Sequence, residues 1–265
     1  MTKKAIILAA GCGNRLGHYT QNRPKCLLEF NGNSILQHQL RVLNSIGITD
    51  IIVVTGYYHH LINFDGIRCI YNRDYAETNM VESLMCARDE FVDDILVAYG
   101  DILFSEELAE VTATSKHDIA VAVDCEWRPY WQLRFGTTEE DLESLTVAES
   151  GQITELGHQV TTSDGIDYRY IGLIKFSAAA TQNVKHVYDS KRIEGSSWSQ
   201  SLKSFKNGYF TDLLNEMIEH DYEVRPVITK NGWFEFDTVE DYNLACKLMK
   251  DGRFSELIPG FAGNL

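Results

Sequence analysis

The feature that most constrains the fold is an alternation in the first half of the chain, where short, wholly apolar runs are separated by stretches with helical spacing. Ala5 to Ala9 is one such run, Ile51 to Val54 a second, Arg68 to Tyr71 a weaker third, Ile95 to Tyr99 a fourth and Ile119 to Val123 a fifth. A strand that is apolar at every position, rather than at alternate ones, must be covered on both faces. Ser34 is placed to cap a helix carrying Ile35, Leu36, Leu40, Leu43 and Ile46, and Gly47 ends it. Asn79 to Phe91 reads as another helix, with Val81, Leu84, Met85 and Ala87 inward. Strands alternating with helices imply a parallel sheet with right-handed crossovers.

From Trp131 to Phe176 the pattern changes to short alternating segments: Gln132 to Phe135, Leu145 to Ala148, Ile153 to Leu156 and Tyr168 to Ile174. Turn residues such as Ser150-Gly151 and Asp164-Gly165 separate them, which predicts antiparallel strands added to the sheet. Helices return at Ala178 to Tyr188 and Phe210 to His220, a strand at Glu223 to Ile228, and a last helix at Val239 to Met249. The expectation is one α/β domain whose sheet is mixed, mostly parallel and flanked by helices, with an inserted antiparallel region.

The 265 residues are 44% apolar and 23% charged, enough for a sizeable core in a soluble globular chain. A net charge of -14 repels a polyphosphate backbone, so no nucleic-acid partner is expected, while divalent cations are attracted. No stretch approaches the roughly 20 apolar residues that span a bilayer, and the run after Lys3-Lys4 is too short for a signal peptide. No membrane partner is expected. The six cysteines form no CxxC pair, which suits a reduced cytoplasmic protein with buried thiols.

The first apolar run ends in Leu8-Ala9-Ala10-Gly11-Cys12-Gly13-Asn14-Arg15-Leu16, followed by Arg23-Pro24-Lys25. A phosphate is bound where backbone N–H groups converge, which needs small or Cβ-free residues, and Ala10, Gly11 and Gly13 supply them. Arg15 and Lys25 add the positive charge that a triphosphate requires. A Walker loop, GxxxxGK(S/T), is absent, and a dinucleotide loop, GxGxxG, fails because Leu16 stands at its third glycine. A lone GxG after a strand is also an ordinary turn; the full string with its downstream Pro-Lys is more specific.

That string resembles the signature of the sugar-nucleotidyltransferase superfamily, LAAGxGxRL followed by PKxLL, whose second part stands here as Pro24-Lys25-Cys26-Leu27-Leu28. Within the superfamily the chain looks most similar to the phosphocholine cytidylyltransferase group and its phosphonate-activating relatives. The supporting segments are Asn72-Arg73-Asp74-Tyr75, Asn79 through Ser83-Leu84, Thr211-Asp212-Leu213-Leu214 and Trp233-Phe234-Glu235-Phe236-Asp237-Thr238. The resemblance implies a Rossmann-like fold whose glycine loop, Leu8 to Arg15, wraps an NTP. It implies that Arg15 and Lys25 bind the phosphates and that Mg2+ sits between Asp101 and Asp237. Substrates would be CTP, or another NTP, and a small phosphorylated or phosphonate acceptor, and the preference for CTP rests on the resemblance alone. Residues 1–124 are expected to form a nucleotide-binding half and 125–265 an acceptor-binding half.

Asp101 follows the run Ile95 to Tyr99 and Asp237 follows Trp233 to Phe236, so both stand at strand ends, where open α/β sheets bind ligands. Mg2+ keeps several waters, so two carboxylates plus phosphate oxygens suffice. Without the resemblance, Gly100-Asp101 is a simple turn and Asp237 the cap of a helix. No serine or cysteine nucleophile motif and no HExxH-type histidine set is present, as expected if the acceptor's own oxygen attacks phosphorus.

Gly56-Tyr57, after the strand Ile51 to Thr55, occupies a second strand end facing the nucleotide. Asn79 and Ser83, four apart, share one helix face, and the resemblance places that helix start near the base. The alternative is a cap at Thr78 or Asn79 with an incidental serine. For the acceptor, the candidates are Glu126, Trp127, Arg128, Tyr130, Trp131, Arg134, Trp198 and Trp233. Aromatics with an acid suit an ammonium, a sugar stacks on the same rings, and Arg128 or Arg134 suits a phosphate or phosphonate. Tryptophans at these spacings also build cores.

Two other readings stand beside this one. A sugar-1-phosphate nucleotidyltransferase using dTTP, UTP, GTP or CTP would share the loop. A non-catalytic nucleotide-binding regulator on the same fold would be expected to lack one of Arg15, Lys25, Asp101 and Asp237, all of which are present. A homodimer is left open.

Overall fold

A computed structural model describes residues 2–261. The first half runs β1 (Lys4–Ala9), β2 (Glu29–Phe30), β3 (Asn33–Ser34), α1 (Ile35–Ser45), β4 (Asp50–Thr55), β5 (Ile67–Tyr71), α2 (Met80–Cys86) and β6 (Ile95–Tyr99). Then follow β7 (Ile102–Phe104), α3 (Glu106–Ala113), β8 (Ile119–Asp124), α4 (Trp127–Phe135), β9 (Glu143–Val147) and β10 (Ile153–Gln159). The rest is β11 (Arg169–Phe176), α5 (Ala178–Glu194), α6 (Phe210–Glu219), β12 (Val224–Thr229), β13 (Trp233–Glu235) and α7 (Val239–Lys250).

The main sheet has 7 strands in the order β12-β8-β11-β6-β1-β4-β5. Neighbours are parallel except at β11, which runs antiparallel to both β6 and β8. Ala5, Ile6 and Ile7 are all 0% exposed, because alternate residues of β1 enter two different cores. Ala5, Ile7 and Ala9 pack with side chains of α1, α3, α4 and α7, whereas Ile6 packs with those of α2, α5 and α6. Each such isoleucine contributes about 1.5–3 kcal/mol by leaving water. The sheet is therefore the buried middle layer of a Rossmann-like α/β unit.

The chain leaves β1 for β4 and β5, then returns as β6 on the other side of β1. The order reverses there, and ligands of open α/β sheets bind outside the carboxyl ends at such a switch. Gly11 follows one of those ends and Gly100-Asp101 the other, with Leu8 opposite Tyr99 in the ladder. Gly100 donates its N–H to Leu8 O at 2.9 Å, and a Cβ on it would stand 2.7 Å from that oxygen, so only glycine lets the backbones approach this closely. The short β7–β13 ladder continues as Phe236 N–H to Asp101 O at 3.0 Å, which brings residue 237 beside residue 101.

Several expectations are corrected. Residues 132–135 close α4 and are not a strand. The pattern Gln132-Leu133-Arg134-Phe135 alternates locally, but Trp127, Tyr130 and Trp131 recur three and four apart and are at most 1% exposed. The longer helical period decides, and Gly136, at φ 74, stops the helix. The inserted strands also divide: β9 and β10 form a separate two-stranded sheet, and only β11 enters the main one. Of the six free cysteines only Cys26 is buried, and Cys69, Cys86 and Cys246 are exposed. No helix among the described residues is long and apolar enough to cross a membrane.

Candidate active site

The chain turns after β1 at Gly13, whose φ of 66° lies in the left-handed region. Leu16 N–H donates to Gly13 O at 3.0 Å, and the Thr20 hydroxyl donates to the same oxygen at 2.7 Å. A Cβ on Gly13 would stand 3.0 Å from the Cβ of Lys25, so this turn and the Pro24-Lys25 segment are in direct contact.

Lys25 is the centre of the charge arrangement. Its Nζ lies 2.7 Å from Asp101 Oδ2 and also donates to Asp237 Oδ1. Arg15 reaches the other oxygen of Asp237 at 2.9 Å from the solvent side, with its own side chain 70% exposed. Burial works against the Lys25 ammonium, but the two carboxylates outweigh it and hold its pKa above the ordinary value. For Asp237, burial pushes the carboxyl up, and Lys25 with Arg15 outweighs that and holds it below the usual carboxylate range.

Behind Asp237 stands a buried network centred on Arg134, which the sequence offered for the acceptor. Arg134 is 2% exposed and donates Nη1 to Glu235 at 2.7 Å and Nε to Asp241 at 2.6 Å. Asp241 in turn accepts the backbone N–H groups of Asp237 at 3.0 Å and Thr238 at 2.8 Å. Thr238, rather than Asp237, is the cap of α7. Burial pushes the Glu235 carboxyl above its usual range, against the pull of Arg134.

Two cavities meet at these residues, sharing Gly11, Lys25, Met80, Tyr99 and Asp101. The smaller, of about 130 Å³, runs along Leu8, Ala9 and Ala10 to Asn79 and Ser83. Asn79 caps α2 through Met80 N–H at 2.9 Å, and Asn72 donates its side-chain amide to the Ser83 hydroxyl at 3.1 Å. The larger, of about 830 Å³, takes in Gly13, Asn14, Arg15 and Asp237, then continues to Asp141, Glu143 and Arg169. Gly56, Tyr57 and Cys12 line neither. Gly56 and Tyr57 support the loop from behind, with Tyr57 N–H on Ala10 O at 3.1 Å and its hydroxyl on Gln21 O at 2.8 Å.

The aromatic acceptor set is corrected. Trp127, Tyr130 and Trp198 are 0%, 1% and 0% exposed, and Trp233, at the edge of the larger cavity, is 2% exposed. Their polar atoms are taken by the protein: Trp127 N–H by Ile166 O, Trp198 N–H by Phe205 O, Trp233 N–H by Asp124, and the Tyr130 hydroxyl by Glu235 N–H. Arg128 donates to the carbonyls of Ser163 and Ile166, and Arg134 is enclosed by acids. Trp127 and Tyr130, at helical spacing on α4, and Trp198 build core by leaving water, while Trp233 keeps an edge on the larger cavity. The polar wall that does face the cavity, with Asp141, Glu143 and Arg169, comes from a stretch read only as turns and strands.

Asp101 and Asp237 suit a hard divalent cation. Asp101 Oδ1 is buried and has no hydrogen-bond partner among the described residues, and the two carboxylates converge on the single Lys25 ammonium. The described residues contain no group of three or more His, Cys, Asp and Glu placed to hold a metal, so an ion here would complete its shell from substrate oxygens and water.

Backbone amides and cations facing an acidic pair across a nucleotide-sized cleft are what transfer of a nucleotidyl group calls for, and the chain is a nucleotidyltransferase. It belongs to the family of the MobA-like NTP transferase domain, whose model matches residues 5–158. It is similar to the CTP:phosphoglutamine cytidylyltransferase of Campylobacter jejuni, 33% identical over 248 residues covering 89% of this chain and 96% of that protein. It is also similar to the choline-phosphate cytidylyltransferase of Streptococcus pneumoniae, 24% identical over 257 residues, 94% of this chain and 99% of that one. A solved structure of CTP:phosphocholine cytidylyltransferase from Streptococcus pneumoniae matches with a TM-score of 0.71 at 21% identity, covering 94% of this chain and 100% of that chain, and shares the fold.

Proposed function

We propose that the chain is a Mg2+-dependent cytidylyltransferase that transfers the CMP group of CTP to a phosphate or phosphonate oxygen of a small acceptor and releases pyrophosphate. The observation that carries this reading is the Lys25 ammonium held between Asp101 and Asp237 beside the Gly13 turn. An acceptor oxygen attacks the α-phosphorus in line, and the bond from that phosphorus to the oxygen bridging to the β-phosphate breaks. Arg15 and Lys25 neutralise charge on the transferring group and on the departing pyrophosphate, and the amides of the turn orient the triphosphate. Asp101 and Asp237 would hold Mg2+, which when bound supplies charge neutralisation between two approaching anions. The chain supplies no covalent nucleophile, and positioning takes that place.

The base belongs in the smaller cavity, where Asn79 and Ser83 stand near the end of β1. Similarity to relatives named for CTP supports cytidine over other bases. In this reading residues 1–124 supply the nucleotide side and 125–265 the acceptor side, with Asp237 reaching back across. The free cysteines support a reducing compartment, the cytoplasm.

The test is pyrophosphate release from CTP, UTP, GTP and dTTP, each with phosphoglutamine, phosphocholine, 2-aminoethylphosphonate and glucose 1-phosphate. Turnover is expected with CTP and at least one of the first three acceptors, abolished by EDTA and restored by excess Mg2+. Turnover confined to glucose 1-phosphate, or indifferent to EDTA, would overturn the reading.

A further inference from the structure

Arg169 opens β11 on the wall of the larger cavity. Its side chain is only 8% exposed, and its guanidinium is stacked 4.3 Å from the centre of the Trp131 ring. Nη2 donates to Asp141 Oδ2 at 3.3 Å, but Nη1 is buried and has no hydrogen-bond partner among the described residues. A buried guanidinium with an open donor is costly unless something completes it. The contrast with Arg134 is direct, since that side chain has its Nε, Nη1 and Nη2 all on Asp241 and Glu235. Arg169 takes no part in the ion pairs around Asp101 and Asp237, which are made by Lys25, Arg15 and Arg134. Arg169 itself lines the part of the cavity where Asp141 and Glu143 stand.

We propose that Arg169 receives a carboxylate of the acceptor, so that the substrate class is a phosphorylated small molecule carrying a free carboxylate. This rests on the cytidylyltransferase reading and narrows it. The planar guanidinium fork matches a carboxylate, and with Asp141 pairing one side and Glu143 close enough to feel the same charge, a singly charged carboxylate suits the site better than a phosphate dianion. Asp141 and Glu143 alongside suit an ammonium on the same acceptor, as in an amino acid. A quaternary ammonium finds the near face of Trp131 already covered by the protein's own cation.

Calorimetry in the presence of Mg2+ and α,β-methylene-CTP tests this with matched pairs that differ only in the carboxylate. The pairs are O-phosphoserine with O-phosphoethanolamine, O-phosphohomoserine with 3-aminopropyl phosphate, and phosphoglutamine with its decarboxylated analogue. In at least one pair the carboxylate-bearing member is expected to bind about 10- to 100-fold more tightly. Arg169→Gln should erase that preference and Arg169→Lys should retain part of it, with the melting temperature as the control for folding. Equal or weaker binding of the carboxylate-bearing member in every pair overturns the proposal. So does an Arg169→Gln variant that weakens both members of a pair equally, which would put Arg169 on the transferring phosphate instead. If the CTP analogue itself does not bind, the cytidylyltransferase reading has failed; if it binds and the pairs show no preference, only the carboxylate assignment has.

Discussion

The two ends of the main sheet use charge in opposite ways. At the amino ends of β1, β4, β5 and β6 one cluster of charges is closed: Lys4 lies 3.1 Å from Glu90 and 3.6 Å from Asp50, and Arg68 pairs with both acids. At the carboxyl ends the charges are left incomplete. Lys25 is shared by two carboxylates, Asp101 Oδ1 has no partner among the described residues, and neither has Arg169 Nη1. Closed pairs on a partly wet surface contribute little to stability and ask for no ligand. Incomplete ones in a cleft lower stability until a substrate or ion completes them, which is how a site stores affinity.

The largest effect that would break this comparison is at Asp101. Asp101→Ala should lower the rate of pyrophosphate release by about 10³-fold, roughly 4 kcal/mol in the barrier. Its melting temperature should stay near that of the parent, because Lys25 keeps Asp237 as a partner. Activity within tenfold of the parent would mean that the open carboxylate serves no reaction.

Arg134 comes next and lies between the two regimes, closed in its own contacts but holding an open one in place. Arg134→Met leaves Asp241, 2% exposed, and Glu235 without their cation, so stability should fall by about 3 kcal/mol in urea unfolding. Because Asp241 fixes the backbone of Asp237, kcat should fall as well while KM for CTP changes little. A stability loss below about 1 kcal/mol would show the cluster to be hydrated rather than sealed.

The glycine turn was legible in the sequence because its parts are contiguous. Residues 10–16 follow one apolar strand and turn at once, so spacing alone puts Gly11, Gly13 and Arg15 at a strand end. Asp101 and Asp237 were legible as strand ends, although nothing local shows that the β7–β13 ladder brings them together. The far wall of the larger cavity was not legible, for three physical reasons. Arg169 takes its meaning from Asp141, 28 residues upstream with β9 and β10 between, and from Trp131, a contact made only by the tertiary fold. The tryptophans have the composition of a ligand cage, yet area removed from water favours placing them beneath the site rather than in it. The four residues 132–135 are too short a window to distinguish a period of two from one of 3.6, and the fuller window from Trp127 resolves it.

The smallest effect tests the closed end. Hydrogen bonds from Arg68, opposed by burial and helped by Lys4, hold Glu90 at about 2, below its ordinary 4.5. An acid whose pKa is depressed by folding contributes stability above its unfolded value, and loses that contribution as pH falls through its folded value. Glu90→Gln should therefore cost less than about 1 kcal/mol at neutral pH, since Arg68 is half exposed. The difference between parent and variant in urea midpoint should begin to shrink near pH 4.5 and disappear only as pH falls below about 2. Pyrophosphate release at neutral pH should not change, because Glu90 lies before β6 at the end of the sheet away from Asp101. A stability gap that persists unchanged to pH 2 would assign Glu90 a packing role, and a fall in turnover at full folding would show the two ends of the sheet to be coupled.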